Sequence, residues 1–580
     1  MAAEHMTTSL GLHQRVVSQA LNEAQEISLV RRIWEPDPAV WKAEEAPQKI
    51  IRNSLGWLTV PRKMVAAAEE INAFVEGIRT SKSFDHVMLC GMGGSSLCPE
   101  VLRQTFGRQP GYPELLVLDS TDPDVLAGFA SRIDIERCLF VIASKSGTTT
   151  EPLVFYKYWY DQVGQKKTNP GDSFIAITDP GTRMVEMATA DRFRHIFLNP
   201  SDIGGRYSAL SYFGLVPAAL MGLDIKQLLA RAAAMMQSCG ADVSTTENPG
   251  LLLGAIMGEC AKAGRNKLTI VTDTKLAAVG LWIEQLVAES TGKEGEGIVP
   301  VQGEPLASPE VYTDDRLFVS ISIDDAQGET QQRLKQLSEA GNPVVWRTLN
   351  DTFDLAAEFF VWEFATAVAG WRLGINPFDQ PNVQESKDAT KELLDYFKAH
   401  GRLQDQEPSV SDQNLTVYAS DRTKPNLPSS SVLAALRAYL ATVSTGDYIA
   451  FLDYVEETDE IEATLQSIRI SLRDSLHCAT TTGYGPRFLH STGQLHKGGP
   501  DCGVFIQITA PDHVDLPIPG EPYTFSVLKQ AQALGDFRSL SAHGRRAIRV
   551  DLGTDTLAGL RQLRNLVEQA LEPSVESSHG

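Results

Sequence analysis

From His86 onward the chain repeats one texture: a short apolar run, a stretch of helical period, then another apolar run. HVMLC (86–90), ELLVL (114–118), CLFVIA (138–143), SFIAIT (173–178) and FRHIFL (193–198) form a first set. KLTIVTD (267–273), RLFVSISI (316–323), PVVWRTL (343–349), YIAFLDYV (448–455), GVFIQITA (503–510) and AIRVDLG (547–553) form a second. Short runs of this kind, separated by enough chain for crossover helices, specify parallel sheets between helical layers. The class is therefore α/β, in two halves. Residues 1–80 carry apolar positions at three- and four-residue steps with no strand signal, as in LHQRVVSQALNEAQEISLVRRIW, and read as an N-terminal helical arm. The expected division is an arm over 1–80, a first sheet domain over 81–245, a second with insertions over 246–572, and a polar tail over 573–580. NPGLLLGAIMGECAKAG (248–264), apolar nearly all round, is expected to be a buried helix. The polar stretch 400–430 is expected to be a long surface excursion.

Composition narrows the partners. The 580 residues carry 52 Lys and Arg against 73 Asp and Glu, a net charge of −21 that opposes a polyphosphate backbone, so nucleic acid is not expected as a partner. No run of ~18 apolar residues and no basic-then-apolar leader occurs, so no membrane association is expected. The seven Cys include no C-x-x-C pair, which argues against a zinc knuckle or a disulfide framework and fits a reducing compartment, so a cytoplasmic protein is expected.

Several loops carry chemistry-bearing residues. Gly91-Met-Gly93-Gly94-Ser95-Ser96 follows a strand and precedes a helical segment, where glycines admit a ligand and helix N–H groups attract an anion. A tight strand-to-helix turn has the same pattern, and a dinucleotide site would use Asp119 at the end of the next strand, although Ser96 occupies the third glycine position. Ser144-Lys145-Ser146-Gly147-Thr148-Thr149-Thr150-Glu151 also follows a strand, and its crowd of hydroxyls exceeds what one N-cap needs. Its spacing is not that of a nucleotide P-loop, so a monophosphate cradle is favoured. Gln285 and Glu289 lie four apart on one helix face, with Glu289 before the turn at Gly292, a place suited to a general base. A lone glutamate at a helix end is ordinarily solvated, and spacing alone leaves both readings open. Gly204-Gly205-Arg206 suggests a guanidinium held against backbone, able to stabilise a developing oxyanion. Residues 483–499 place His490 and His496 in a glycine-rich run typical of a site loop.

Together GMGGSS, SKSGTTTE, GGRYS, QLVAESTGK, GEP (303–305) and NPFDQPNVQESK resemble the glucose-6-phosphate isomerase family, over about residues 50–510. The nearest likeness is to the isomerase half of bacterial transaldolase fusions. Only some 80 residues precede the first strand, so no transaldolase activity is expected. The resemblance implies two sugar-isomerase (SIS) domains with parallel five-stranded sheets flanked by helices. It implies aldose–ketose isomerisation of a sugar phosphate in glycolysis and gluconeogenesis, with no metal and no redox cofactor. Carried over by position, Gly94, Ser95, Ser144, Ser146 and Thr149 hold phosphate, with Lys145 near the sugar. Arg206 stabilises the enediolate, Glu289 moves the proton assisted by Gln285, and Gln380 and Lys387 contact phosphate and ring oxygen. The family's histidine motif precedes the FDQ…K motif, whereas LHSTGQLHKGG follows it here; His490 is the better match for ring opening and His496 the alternative. Relatives often complete the site from a second subunit, so a homodimer is the assembly the resemblance allows. A nicotinamide-dependent oxidoreductase, a non-catalytic sugar-phosphate sensor, and an isomerase of mannose 6-phosphate or an amino sugar phosphate are the competing readings.

Overall fold

The computed structural model describes residues 6–323, 328–412 and 414–572. The expected polar tail, 573–580, lies outside the described residues. Strand β1 (Met6–Ser9) opens the chain, and β2 (His86–Cys90), β3 (Glu114–Leu118), β4 (Cys138–Ala143), β5 (Phe174–Thr178) and β6 (His195–Leu198) follow. These five later strands form one parallel sheet in the order β3-β2-β4-β5-β6. Next come β7 (Lys267–Thr272), β8 (Val299–Val301), β9 (Arg316–Ile323) and β10 (Val344–Leu349), in a second sheet ordered β1-β10-β9-β7-β8. The last strands are β11 (Val410–Asp412), β12 (Leu415–Ala419), β13 (Tyr448–Tyr454), β14 (Ala479–Tyr484), β15 (Gly503–Thr509) and β16 (Arg546–Asp551). They form a third sheet, ordered β11-β12-β16-β15-β13-β14.

The α/β class with parallel sheets flanked by helices holds, and residues 246–572 carry two sheets where one was expected. Two further expectations are corrected. The arm is not purely helical, because β1 pairs antiparallel with β10, its Met6 buried beside Arg347. The 400–430 stretch is not simply a surface excursion, since β12 pairs antiparallel with β16 and buries Leu415, Val417 and Ala419 on one face. Both are short antiparallel strands buried at only some positions, β1 at its sheet's edge and β12 between β11 and β16, so neither shows the unbroken apolar run of an interior parallel strand.

The layers are joined through helices. Pro249–Lys262, capped by the Asn248 side chain accepting from Leu251 N at 2.9 Å, packs along the almost wholly buried helix Leu355–Leu373. The arm docks on this layer: Trp34 Nε1 donates to the Cys239 carbonyl at the end of helix Ile225–Ser238 and Trp41 Nε1 to that of Ala367 in helix Leu355–Leu373, each at 2.8 Å. Helix Phe525–Ala542, which precedes β16, buries Phe525, Leu528 and Ala531 in the same cluster as Met88, Phe140 and Ile142 of the first sheet. The third sheet's helical layer is thereby packed against the first sheet. No helix among the described residues is long and apolar enough to cross a membrane, and the seven cysteines are free.

Candidate active site

A cavity of about 500 Å³ opens at the C-terminal ends of the first sheet's strands, where parallel sheets place their ligands. It gathers pieces from the whole chain: Ile50, Asn53 and Ser54 of the arm, both glycine loops, the hydroxyl loop, one face of helix Val279–Thr291, the Phe378–Gln380 loop, and Lys387 with His490.

Two backbones meet tightly at its floor. A Cβ on Gly94 would stand 2.0 Å from the carbonyl oxygen of Gly205, so the GMGGSS and GGRYS turns touch without side chains between them. Gly93 has φ +53°, and a Cβ there would lie 2.7 Å from Gln285 Nε2. Ser95, in the short turn Gly93–Ser95, faces this floor.

The hydroxyl loop runs from the end of β4 to the N-terminus of helix Thr150–Gly164. Ser146 and Thr149 line the cavity, whereas Ser144 stands behind them and donates from Oγ to Thr149 Oγ1 at 3.1 Å. Ser144 follows β4 directly and is buried. Lys145 lines the cavity while paired with Asp179 at 2.5 Å. Hydroxyls, an ammonium and a helix N-terminus converge here, which is a set of anion donors.

On the opposite wall, Gln285 Nε2 donates to Glu289 Oε2 at 3.2 Å and to the His490 carbonyl at 2.7 Å. Arg206 is buried and spends its guanidinium on structure: Nε to Ser290 Oγ at 2.7 Å, Nη1 to Gln380 Oε1 at 3.0 Å, and Nη2 to the carbonyls of Pro377 and Asp379 at 2.8 and 3.0 Å. Its Nη1 still lies 3.6 Å from Glu289 Oε1, so a fixed positive charge borders that carboxylate. Gln380 lines the cavity as Arg206's acceptor. Lys293 donates to the Asp379 carboxylate at 2.8 Å, and burial, with Arg206 adding to it, pulls its ammonium down to about 8.

His490 closes the site. Its Nε2 lies 3.2 Å from Glu151 Oε1, which also accepts from Gln532 Nε2 at 2.7 Å, itself fixed by Thr121. Burial works to raise the Glu151 carboxyl, but the His490 imidazole and its hydrogen bond outweigh that and hold it below the ordinary carboxylate range. His496 is elsewhere: it is 3% exposed, packed against Phe488 and Phe505, and burial drives its imidazole well below the ordinary value, reinforced by Lys497 and Arg545. Asp119, which a dinucleotide would need for its ribose, accepts from Ser96 Oγ at 3.2 Å and does not line the cavity.

Sequence reasoning therefore brought Gly94, Ser95, Lys145, Ser146, Thr149, Arg206, Gln285, Glu289, Gln380, Lys387 and His490 to one cavity. It missed Glu151, although that residue ends a stretch already singled out, and Ser290, which follows Glu289 directly. Gln532, Asn53 and Ser54 carry no local signal.

The family model for phosphoglucose isomerase matches residues 58–306. A glucose-6-phosphate isomerase of Staphylococcus aureus is 27% identical over 391 residues, covering 59% of this chain and 86% of the relative. One of Heliobacterium modesticaldum is 27% identical over 386 residues, covering 57% and 85%. A crystal structure of a glucose-6-phosphate isomerase from Chlamydia trachomatis matches with TM-score 0.53 and 19% identity over 68% of this chain and 88% of that one, a likeness of fold.

Proposed function

The chain belongs to the phosphoglucose isomerase family, and we propose that it interconverts glucose 6-phosphate and fructose 6-phosphate through a cis-enediol, as a step of glycolysis and gluconeogenesis. The observation that carries the assignment of roles is one amide: Gln285 Nε2 joins the carboxylate of Glu289 to the backbone of His490 inside the cavity that also holds the hydroxyl loop. A base, a ring-opening group and an anion cradle then share one substrate.

Ser95, Ser146 and Thr149 hold the phosphate at the helix N-terminus, with Lys145 beside them, and this remote binding orients the sugar. His490, oriented by Glu151, and Lys387 exchange a proton at the ring oxygen and open the cyclic form. Glu289 accepts the C2 proton and delivers it to C1, while a hydroxyl proton passes from O2 to O1. Arg206, fixed by its four partners, needs no reorganisation to offset negative charge developing on those oxygens. The seven free thiols support a reducing compartment such as the cytoplasm.

The test is conversion of fructose 6-phosphate to glucose 6-phosphate by purified protein with chelator present, with mannose 6-phosphate in parallel. Turnover of the glucose pair supports the reading. Binding of sugar phosphate without turnover identifies a sensor instead, and turnover of mannose 6-phosphate alone moves the substrate assignment.

A further inference from the structure

Arg487 opens the short turn Arg487–His490 and so stands three residues before the histidine. It does not line the active cavity; it lines the neighbouring cleft between the first and third sheets. There its Nη2 donates to Glu457 Oε2 at 3.2 Å, and its Nη1 lies 3.6 Å from Asp119 Oδ1. Glu457 belongs to its own unit, in the loop after β13, but Asp119 follows β3 of the first sheet. Asp119 Oδ2 in turn accepts from Ser96 Oγ, in the glycine loop beside the phosphate cradle. The turn carrying His490 is thus held at both ends by the first two layers: at its entry through Arg487, Asp119 and Ser96, and at its exit by Gln285 on the His490 carbonyl. Burial works against the charge on Arg487, and Glu457 and Asp119 outweigh it, so the guanidinium stays ionised.

We propose that Arg487 is a positioning residue for ring opening, docking the His490 turn onto the first sheet through Asp119. The proposal rests on His490 being the ring-opening group. Displacements of about 1 Å in a proton-transfer partner cost on the order of 10²-fold in rate, so an anchor three residues away governs that step. It leaves the Glu289 step alone, because Gln285 and Glu289 are held by their own helix.

The experiment compares Arg487→Gln, Arg487→Lys, Asp119→Asn and His490→Ala on two readouts. One is kcat on cyclic glucose 6-phosphate; the other is solvent-deuterium exchange at C2 of a four-carbon aldose phosphate, which needs no ring opening. Arg487→Gln is expected to lower kcat on the cyclic sugar by about tenfold or more with exchange within roughly threefold. Arg487→Lys should recover part of the loss, and the Asp119→Asn/Arg487→Gln double variant should lose no more than Arg487→Gln alone. Equal losses on both readouts, or none in a variant with parental near-ultraviolet circular dichroism, overturn the role of Arg487. A His490→Ala variant without selectivity overturns the reading of His490 itself, which is a distinct outcome. If Arg487→Gln does not fold, Asp119→Asn carries the same test from the other side of the pair.

Discussion

Gln285 donates from Nε2 to Glu289 Oε2 across 3.2 Å, one helical turn apart on a helix whose face forms a wall of the cavity. An amide in place of the Glu289 carboxylate still offers Gln285 an oxygen acceptor, so the wall keeps its shape while the proton acceptor disappears. Glu289→Gln is therefore expected to lower kcat by at least ~10²-fold while leaving the inhibition constant of a phosphorylated sugar acid within about tenfold. Steady-state rates with competitive inhibition check this, and kcat within tenfold of the parent removes Glu289 as the base.

Gly94 and Gly205 make a matched pair of tests. A methyl on Gly94 must displace the Gly205 carbonyl, 2.0 Å away, whereas a methyl on Gly205 meets nothing within 4 Å. Gly94→Ala should cost about 1–3 kcal/mol by overpacking and separate the two turns that floor the cavity, weakening anion competition as well. Gly205→Ala should leave the thermal midpoint close to parental, since its methyl displaces no protein atom. Similar behaviour of the two variants would show that the turns are free to separate.

What the chain announces and what it conceals follow from where the information is stored. HVMLC, CLFVIA and RLFVSISI coincide with β2, β4 and β9 because interior parallel strands must be apolar on both faces. LTVYA is an antiparallel strand that buries alternate residues, so its weaker period-two signal was lost in a polar neighbourhood. The division of the second set of strands between two sheets is not a local property, since β10 and β13 read alike and differ only in their partners. In the site, Ser146, Arg206 and Glu289 were legible because strand-end loops and helix ends concentrate functional groups. Glu151 and Gln532 were not, because their role is a contact among positions 151, 490 and 532 that exists only after folding. His490 and His496 share one glycine-rich run, and only packing separates the one beside Glu151 from the one between Phe488 and Phe505.

The hydroxyl loop now makes graded predictions. Ser146 and Thr149 line the cavity, and losing either removes a hydrogen bond to a charged oxygen worth roughly 1.5–3 kcal/mol, about ten- to a hundredfold in affinity. Ser144 touches only Thr149 Oγ1 among these groups, so Ser144→Ala should weaken binding several-fold at most. Inhibition constants for inorganic phosphate and a phosphorylated sugar acid in the three single Ala variants measure the order. A Ser144→Ala effect equal to that of Thr149→Ala would place the anion deeper in the loop.

Glu284 neighbours Gln285 on the same helix but turns toward the cleft of Arg487, 5% exposed, its Oε2 without a hydrogen-bond partner. Burial pushes its carboxyl up to about 8, with Arg487 and Arg469 opposing. An unfolded chain releases this proton near the ordinary glutamate value of about 4.3, so between there and about 8 the folded chain binds one proton more. Stability must then fall as pH rises through that window, by about 1.4 kcal/mol per unit from this group, and flatten above it. Glu284→Gln has no proton to lose and is expected to abolish that part of the slope, whatever constant offset its amide introduces. Thermal midpoints of parent and variant at one scan rate, at pH 5, 6.5 and 8, should diverge in the variant's favour as pH increases. Parallel lines would show that Glu284 ionises in the folded protein as it does in the unfolded chain, and that Arg487 holds it charged.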